Sequence, residues 1–255
     1  MDGRNVHIVT LDRVVKRFAM GTGAFTALGG ISLEIGAGEF TGLVGPSGSG
    51  KTTMLNIIGS LDLPSEGRAI VLGRNTLDLD ARASARLRNE HIGFIFQTYN
   101  LFPVYTVFQN VEFPLLLQRV GAAERRRAVM EALAWVGLDD RADARPAQLS
   151  GGESQRVAIA RAMVKRPGLV LADEPSANLD AENSHHILRT MEALNRDLGT
   201  TFVFATHDEK VIAYLRRIIR LKDGTVERDE IVRRDENLER DDTVVPTREA
   251  PDARP

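Results

Sequence analysis

No cysteine occurs in the 255-residue sequence. Disulfide bonds, thiolate metal ligands and cysteine nucleophiles are therefore excluded from its chemistry. A chain without cysteine also fits a reducing compartment, where proteins rarely rely on disulfides.

Neither sign of charge is in excess. The chain has 33 Lys and Arg residues against 35 Asp and Glu residues, which gives a net charge of −2. Domains that bind DNA or RNA carry a basic surplus that neutralises phosphates. The overall charge therefore gives no indication of a nucleic-acid partner.

Long apolar runs are also missing. Every apolar stretch is interrupted by charge or glycine well short of the roughly 20 residues that a membrane-spanning helix needs. Residues 1–18 lack the apolar core of a secretory signal. We therefore expect a chain that does not itself cross the bilayer and that reaches a membrane only through a partner protein.

What the sequence does contain is an alternation of strand-like and helix-like segments. Apolar and β-branched runs predict strands at 6–18, 31–44, 68–72, 92–96, 169–172, 201–205, 217–221 and 225–228. Helical periodicity and stop signals predict helices at 51–59, 124–136, 152–165 and 181–198. This order predicts an α/β core in residues 1–228 with a helical insertion at about 98–165.

The last residues differ in character from the rest. Residues 229–255 are charged, contain Pro246, Pro251 and Pro255, and show little apolar patterning. Such composition predicts a flexible tail, with a short partner-binding segment as the alternative.

A phosphate-binding loop is the first motif that carries chemistry. Residues 45–52 (GPSGSGKT) match the pattern G-x-x-x-x-G-K-[ST], between a predicted strand and a predicted helix. Glycines let backbone N–H groups wrap a phosphate chain, the lysine supplies a point charge, and the final hydroxyl is a Mg²⁺ ligand. The helix adds the positive end of its dipole. The predicted phosphate-binding residues are Gly45, Pro46, Ser47, Gly48, Ser49, Gly50, Lys51, Thr52 and Thr53.

Two acids follow the apolar strand 169–172. Ligands bind at the carboxyl ends of the strands in such sheets, so Asp173 and Glu174 would face the same ligand as the phosphate loop. Asp173 would hold Mg²⁺, and Glu174 would polarise the attacking water. The alternative is an ordinary solvated acid pair. Together with the phosphate loop, the pair predicts a nucleoside triphosphatase.

A second anion site is predicted at Ser150, Gly151 and Gly152, within residues 149–156 (LSGGESQR). A serine hydroxyl and bare backbone amides at a helix N-terminus bind anions. One chain with one nucleotide does not need two phosphate sites, so the second would serve the nucleotide of a neighbouring copy in a two-fold dimer. A plain helix cap with a glycine turn is the alternative.

The order of these motifs resembles that of ABC transporter ATPase subunits. The resemblance covers residues 6–228 and includes LSGGESQR, the phosphate loop, LVLADEPSANLD, Gln97 and the histidine of ATHD. The stretches TMLNIIGSLDLPSEG, IGFIFQTYNLFP and QNVEFPLLL look like the lipoprotein-release and macrolide-export type, with a cell-division ATPase as a near neighbour. The resemblance implies an α/β fold with a P-loop core, an N-terminal antiparallel β portion and a helical subdomain.

By this resemblance, further residues take roles at the nucleotide. Gln97 would sense Mg²⁺ and the attacking water, or else be a solvated glutamine at a strand end. His207 would bond the γ-phosphate and support the water, or else be a structural histidine. Asp180 would cross the dimer interface or simply cap the following helix. Phe18 would stack on adenine or be a buried strand residue, and the family more often has tyrosine there. Glu153 departs from the glutamine that is frequent at its position.

The resemblance also implies the working state. Two copies would close around two Mg²⁺-ATP, hydrolyse ATP and drive a separate integral-membrane permease from the cytoplasmic face of a bacterial inner membrane. Residues 99–117, apolar and aromatic, would receive a cytoplasmic helix of that permease, or form the core of their own subdomain. The chain has no N-K-x-D guanine motif and no room for the long insertion of a DNA-repair ABC ATPase. A soluble or cell-division-type regulatory ABC ATPase without transport is the alternative function.

Overall fold

The computed structural model describes residues 7–21 and 23–232. The strands are β1 (His7–Met20), β2 (Gly23–Gly36), β3 (Phe40–Val44), β4 (Glu66–Val71), β5 (Arg74–Asn75), β6 (Ile92–Ile95), β7 (Leu169–Asp173), β8 (Thr201–Thr206), β9 (Arg217–Lys222) and β10 (Thr225–Ile231). The α-helices are α1 (Lys51–Ile58), α2 (Ala81–His91), α3 (Val107–Leu117), α4 (Ala122–Trp135), α5 (Gly151–Met163), α6 (Ala181–Leu198) and α7 (Glu209–Ile212).

The strands form two sheets. An antiparallel sheet has the order β2-β1-β4-β5, and a six-stranded sheet has the order β10-β9-β3-β8-β7-β6. In the second sheet, β9, β3, β8, β7 and β6 run parallel, and β10 is antiparallel to β9. The predicted α/β core with an N-terminal antiparallel β portion is therefore confirmed.

The parallel sheet separates two hydrophobic cores. Every residue of β8 is buried, as expected when helices or a second sheet cover both faces of a strand. Phe202 and Phe204 belong to the core shared with α3, α4, α5 and α6. Val203 and Ala205 belong to the core shared with α1, α2 and the antiparallel sheet. This alternation fixes the β8 register, so the strand end that carries site residues is held firmly.

The helical insertion consists mainly of α3, α4 and α5, which pack against one another. Thr106 and Gln109 form a capping box that starts α3. Arg161 of α5 donates hydrogen bonds of 2.6 Å each to the carbonyl oxygens of Tyr99 and Asn100. Both of these residues have positive φ. Helix α5 therefore fixes the start of the segment 99–117.

The observed elements differ from the predicted ones in specific places. The predicted strand 31–44 is two strands, because β2 ends at Gly36 and β3 begins at Phe40 after a turn in which Gly38 has φ +75°. Helices α2 and α3 and strand residues 23–30 were not predicted. β10 continues to Ile231, so the first residues assigned to the tail are strand. The remaining tail, 233–255, lies outside the described residues.

Membrane crossing by a helix finds no support in the described ranges. No helix within 7–21 and 23–232 is long and apolar enough to span a bilayer.

Candidate functional site

A cleft of about 490 Å³ lies where the carboxyl ends of β3, β7 and β8 meet the hairpin of β1 and β2. Its lining combines the phosphate loop, both predicted acids, Gln97, His207 and apolar residues of the hairpin. The lining residues are Phe18, Phe25, Ala27, Ser47, Gly48, Gly50, Lys51, Thr52, Thr53, Gln97, Asp173, Glu174, Ala177 and His207. The fold thus brings together residues that are up to 189 positions apart, from Phe18 to His207.

The phosphate loop wraps around the ammonium group of Lys51. Lys51 Nζ donates to the carbonyl oxygens of Gly45 at 2.7 Å and Pro46 at 2.9 Å, and the side chain is buried. Gly50, which precedes α1, has φ +100°, and a Cβ there would lie 2.7 Å from the Ala27 carbonyl oxygen. This position therefore requires glycine. Lys51 stands at the start of α1 with its charge directed into the loop.

The phosphate loop also contains a buried hydroxyl without a partner in the described ranges. Ser49 Oγ is buried and has no hydrogen-bond partner within the part of the chain that the structure describes. Most buried polar groups in proteins are paired, and six other buried side-chain atoms of the described residues share this lack of a partner. Ser49 is not among the residues that line the cleft, so this hydroxyl gives no indication of an anion there.

The hydroxyl of Thr52 and the carboxylate of Asp173 meet at the N-terminus of α1. Thr52 Oγ1 lies 3.2 Å from both Oδ1 and Oδ2 of Asp173. Burial raises the pKa of Asp173. The hydrogen bond from Thr52 lowers this pKa, and the nearby charge of Glu174 raises it further. These hard oxygen donors are the ligand type that Mg²⁺ prefers, and Mg²⁺ typically takes few protein ligands beside substrate phosphates. One hydroxyl and one carboxylate, which leave further positions to phosphate oxygens and water, therefore fit Mg²⁺ held in this way.

Glu174 is held in place by three contacts. Its backbone N–H donates to the Ala205 carbonyl at 2.9 Å. Thr206 Oγ1 donates to Oε2 at 3.0 Å, and His207 Nδ1 lies 2.6 Å from Oε1. Glu174 also has φ +45°, a left-handed conformation that is uncommon for a non-glycine residue. The carboxylate is therefore fixed at the cleft, and His207 contacts it directly.

Gln97 lines the same cleft, and its backbone is tied to the loop after β7. Asn178 Nδ2 donates to the Gln97 carbonyl oxygen at 2.9 Å. Gln97, Asp173 and Glu174 therefore line one cleft, whereas the role of Gln97 towards Mg²⁺ and water stays a prediction.

Ser150, Gly151 and Gly152 lie elsewhere. Among the described residues that line the cleft, none comes from this turn. Ser150 caps α5: its Oγ accepts from the Glu153 N–H at 3.2 Å, and Glu153 Oε2 accepts from the Ser150 N–H at 2.7 Å. The bond from the Ser150 backbone is the main reason why the pKa of Glu153 is lowered. The unusual Glu153 therefore completes a capping box.

Asp180 caps α6, as the alternative for this residue proposed. It accepts from Asn183 N at 2.8 Å and from Asn183 Nδ2 at 2.7 Å. A Cβ on Gly152 would lie 2.2 Å from Asn183 Oδ1. The N-termini of α5 and α6 thus approach closely through Gly152 and Asn183.

Phe18 is 40% exposed and lines the cleft, so it is not a buried strand residue. Phe25, its direct partner on β2, lines the cleft as well. Phe25 was missed because residues 23–30 were not assigned to a strand. The pair Gly21 and Gly23 between two β-branched or aromatic stretches was the signal for a hairpin that would have placed Phe25 opposite Phe18.

The segment 99–117 is divided between its own core and the surface. Val107, Asn110, Val111 and Leu115 are buried, whereas Phe102, Val104, Tyr105, Leu116 and Leu117 are exposed. Phe102 packs against Tyr105 and Phe113, with ring centroids 5.5 and 4.9 Å apart. The buried residues agree with the reading of this segment as the core of its own subdomain, whereas the exposed ones leave a surface whose proposed use by a permease stays a prediction.

Comparison with known proteins gives a consistent result. A family model described as ABC transporter matches residues 28–177. The macrolide export ATP-binding/permease protein MacB of Burkholderia pseudomallei (strain 1710b) is 46% identical over 224 residues, which are 88% of this chain and 34% of MacB. The chain therefore spans about a third of the length of that relative. The uncharacterized ABC transporter ATP-binding protein MJ0796 of Methanocaldococcus jannaschii is 45% identical over 227 residues, 88% of this chain and 97% of that protein.

Solved structures match over the same extent. A dimeric structure of the ATP-binding cassette MJ0796, in a post-hydrolysis state bound to ADP and Pi, superposes with a TM-score of 0.82 at 44% identity. The match covers 88% of this chain and 99% of that structure. The structure of cbiO1 from Clostridium perfringens, part of the ABC transporter complex cbiONQ, gives a TM-score of 0.79 at 30% identity and covers 88% of each chain.

Proposed function

The chain belongs to the ABC transporter family and is an ABC ATPase, and on that premise we propose how its residues work. Two copies close around two Mg²⁺-ATP molecules, hydrolyse them, and drive a conformational change in a separate permease. The observation that carries this proposal is the separation of two anion-binding features in one chain. The cleft contains Lys51, Asp173 and Glu174, whereas Ser150 caps a helix outside it.

The separation of the Ser150 turn from the cleft favours a nucleotide site that is shared between two copies of the chain. The N-terminus of α5 offers a serine hydroxyl and the positive end of a helix dipole, which bind an anion well. In a two-fold dimer, each such N-terminus can face the cleft of the other copy. The dimeric MJ0796 cassette with ADP and Pi supports this arrangement, since it is 44% identical to this chain.

The chain's own residues would then divide the work of phosphoryl transfer. Lys51 and the loop amides bind the phosphates and stabilise the charge that develops on the transferred group. Glu174, fixed by Thr206 and His207, orients and polarises the attacking water. Thr52 and Asp173 would hold Mg²⁺, with Gln97 beside them, and the ion when bound would neutralise charge on the phosphate oxygens.

For His207 the structure suggests a modified role. Its Nδ1 contacts Glu174, so the same ring can orient the carboxylate through Nδ1 while Nε2 remains for the γ-phosphate. The ring is largely exposed, at 63%, which leaves that second nitrogen accessible.

Docking of the permease would use the exposed side of the segment 99–117. Buried Asn110 makes four hydrogen bonds to backbone groups of Phe102, Tyr105 and Thr106, which hold the loop before α3 rigidly. The loop therefore presents its exposed aromatic side chains on a fixed frame, and contiguous exposed apolar groups mark interaction sites. We place the protein at the cytoplasmic face of a membrane through this contact, with a permease of the lipoprotein-release or macrolide-export type. The MacB relative, an export ATP-binding/permease protein, supports this subtype.

A mixing experiment tests the shared site. Lys51→Ala removes the phosphate charge in the cleft, and Ser150→Arg blocks the turn that would face the other copy. Each variant alone should lose ATPase activity. In an equal mixture, half the dimers are mixed and each has one intact site of two, so activity should return to about a quarter of the wild-type rate at the same total concentration. Full activity of Ser150→Arg alone would refute the shared site.

A second experiment tests the partner. Tagged wild-type protein should recover a multi-spanning membrane protein from detergent-solubilised membranes of its native cells. If it recovers none and fractionates entirely away from membranes, the regulatory ATPase without transport becomes the better function.

A further inference from the structure

The end of the cleft away from the phosphate loop is formed by two phenylalanine side chains. Phe18 of β1 and Phe25 of β2 are directly opposite each other in the antiparallel pair. Residues in such a position point to the same face of the sheet, with Cβ atoms about 5 Å apart. Phe18 is 40% and Phe25 49% exposed, and both line the cleft. Two large aromatic side chains left open to a cleft have a face available to a ligand.

The ring of Phe18 is supported by a cation. Lys16 Nζ lies 5.1 Å from the centroid of the Phe18 ring, within the range of a cation–π contact. The ammonium group is itself held by the Asp62 carboxylate and by the Leu63 carbonyl oxygen at 2.9 Å. The lysine side chain is only 13% exposed. One face of the ring is therefore occupied and its orientation is fixed, which lowers the entropic cost of stacking on the other face.

The polar and apolar side chains of the cleft come from different elements. Among the described lining residues, β1 and β2 contribute only Phe18, Phe25 and Ala27. The hydroxyl, amide, charged and imidazole groups come from the phosphate loop, α1, the last residue of β7 and the loops that follow β6, β7 and β8. A base that stacks on the hairpin thus meets aromatic faces, and none of the three hairpin residues that line the cleft has a polar side chain that could bond to the edge of the base.

We propose that Phe25 is a second base-binding residue, and that it forms with Phe18 a two-ring surface that recognises purine nucleoside triphosphates by stacking alone. This inference rests on the proposed nucleotide function and deepens it. Stacking tolerates different bases because every base has a π-face. Guanine should therefore be accepted about as well as adenine, whereas the smaller pyrimidine rings should bind more weakly. Discrimination between adenine and guanine would require polar groups that pair with one and not the other.

The experiment measures binding by isothermal titration calorimetry with the full chain and Mg²⁺. The ligands are ATP, GTP, CTP and inorganic tripolyphosphate, which retains the phosphates but has no base. For the wild type, the Kd values of ATP and GTP should agree within about threefold, and CTP should bind at least about fivefold more weakly.

Two substitutions of Phe25 test its role. Phe25→Ala should weaken ATP and GTP about tenfold and leave tripolyphosphate unchanged, because one stacked ring is lost. Phe25→Leu keeps apolar area but has no π-face. Its Kd values for ATP and GTP should therefore lie between those of the wild type and those of Phe25→Ala. Met20→Ala is the matched control: Met20 is on the same hairpin, 64% exposed and outside the cleft lining, so its binding should equal that of the wild type.

Three results would overturn the inference. One is ATP binding by Phe25→Ala within about twofold of the wild type, and another is a preference for ATP over GTP of more than about twentyfold. A loss of tripolyphosphate binding in Phe25→Ala equal to the loss for ATP would show that the substitution disturbs the phosphate site instead. Failure of the unmodified chain to bind either ATP or tripolyphosphate would refute the proposed nucleotide site itself.

Discussion

The contact between Gly152 and Asn183 allows a quantitative test of how the Ser150 turn is built. A Cβ added to Gly152 would lie 2.2, 2.7 and 3.3 Å from Oδ1, Cγ and Cβ of Asn183. Such distances force the Asn183 side chain to move. The movement breaks the 2.7 Å bond from Asn183 Nδ2 to Asp180, although the backbone cap of α6 by Asp180 can remain.

The expected cost of Gly152→Ala follows from three contributions. Overpacking of a close contact costs about 1–3 kcal/mol. The lost side-chain hydrogen bond costs about 1 kcal/mol. Replacing glycine by alanine in a helix returns up to about 1 kcal/mol. We therefore expect Gly152→Ala to lower the free energy of unfolding by about 2 kcal/mol.

Removing the obstructing side chain should restore stability. In the double variant Gly152→Ala/Asn183→Ala, the new methyl group has room, and both substitutions favour the helix. Urea unfolding of both single variants and the double variant gives the coupling energy between the two sites. We expect the double variant to be more stable than Gly152→Ala by about 1–2 kcal/mol. A double variant that is as unstable as the sum of the two single variants would refute the steric argument.

Three further predictions concern the site and the surface. Glu174→Gln should bind ATP normally but hydrolyse it about 10²–10⁴-fold more slowly, and ATP-bound dimers should accumulate in size-exclusion chromatography; turnover near the wild-type rate would exclude the proposed role of the carboxylate. Burial raises the pKa of Asp173, so ionisation of this group opposes folding. The Asp173→Asn variant should therefore be more stable than the wild type at pH 7 in urea unfolding, and the gain should shrink as the pH falls through the raised pKa; a gain that is constant with pH would contradict this. Tyr105→Glu or Phe102→Glu should reduce recovery of the membrane partner while ATP binding is unchanged, and equal recovery would exclude this surface.

Helix α6 illustrates what the sequence could predict. Its predicted bounds, 181–198, are the observed ones, because Asp180 is a strong N-cap and Gly199 ends the helix with φ +66°. β7 was predicted because a short run after a Pro-Gly pair is entirely apolar, as is typical of a strand buried on both faces of a parallel sheet. Local signals sufficed wherever a cap or a breaker bounded a clear pattern.

Helices α2 and α3 show why other elements were missed. Helix α2 buries only Ser84 and Leu87, so little apolar periodicity marks it. Helix α3 is apolar on nearly every side and contains Pro114, so it has no polar face to give a period. Its exposed residues Leu116 and Leu117 are apolar, so exposure and apolarity do not alternate in the way that marks a surface helix.

For the site, the motifs predicted which residues face the nucleotide but not how they support one another. The gathering of Lys51, Asp173 and Glu174 in one cleft agrees with the prediction, whereas their roles in binding and hydrolysis stay predictions. The contact of His207 with Glu174, 33 positions apart, depends on the parallel pairing of β7 and β8 and could not be read from the sequence. The position of Phe25 in the cleft could be predicted only from the register of the hairpin formed by β1 and β2.

The bonds from Arg161 to Tyr99 and Asn100 couple helix α5 to the start of the segment 99–117. Arg161 lies 11 positions after Ser150, which corresponds to about 16 Å along an α-helix at 1.5 Å per residue. The N-terminus of α5 carries the turn proposed to meet the other copy's nucleotide. Arg161, near its C-terminus, is hydrogen-bonded to the backbone at the start of the segment 99–117. If a bound membrane helix displaced that segment, helix α5 would move with it as one unit. The Ser150 turn at its N-terminus would then move as well, without a change of conformation inside the helix.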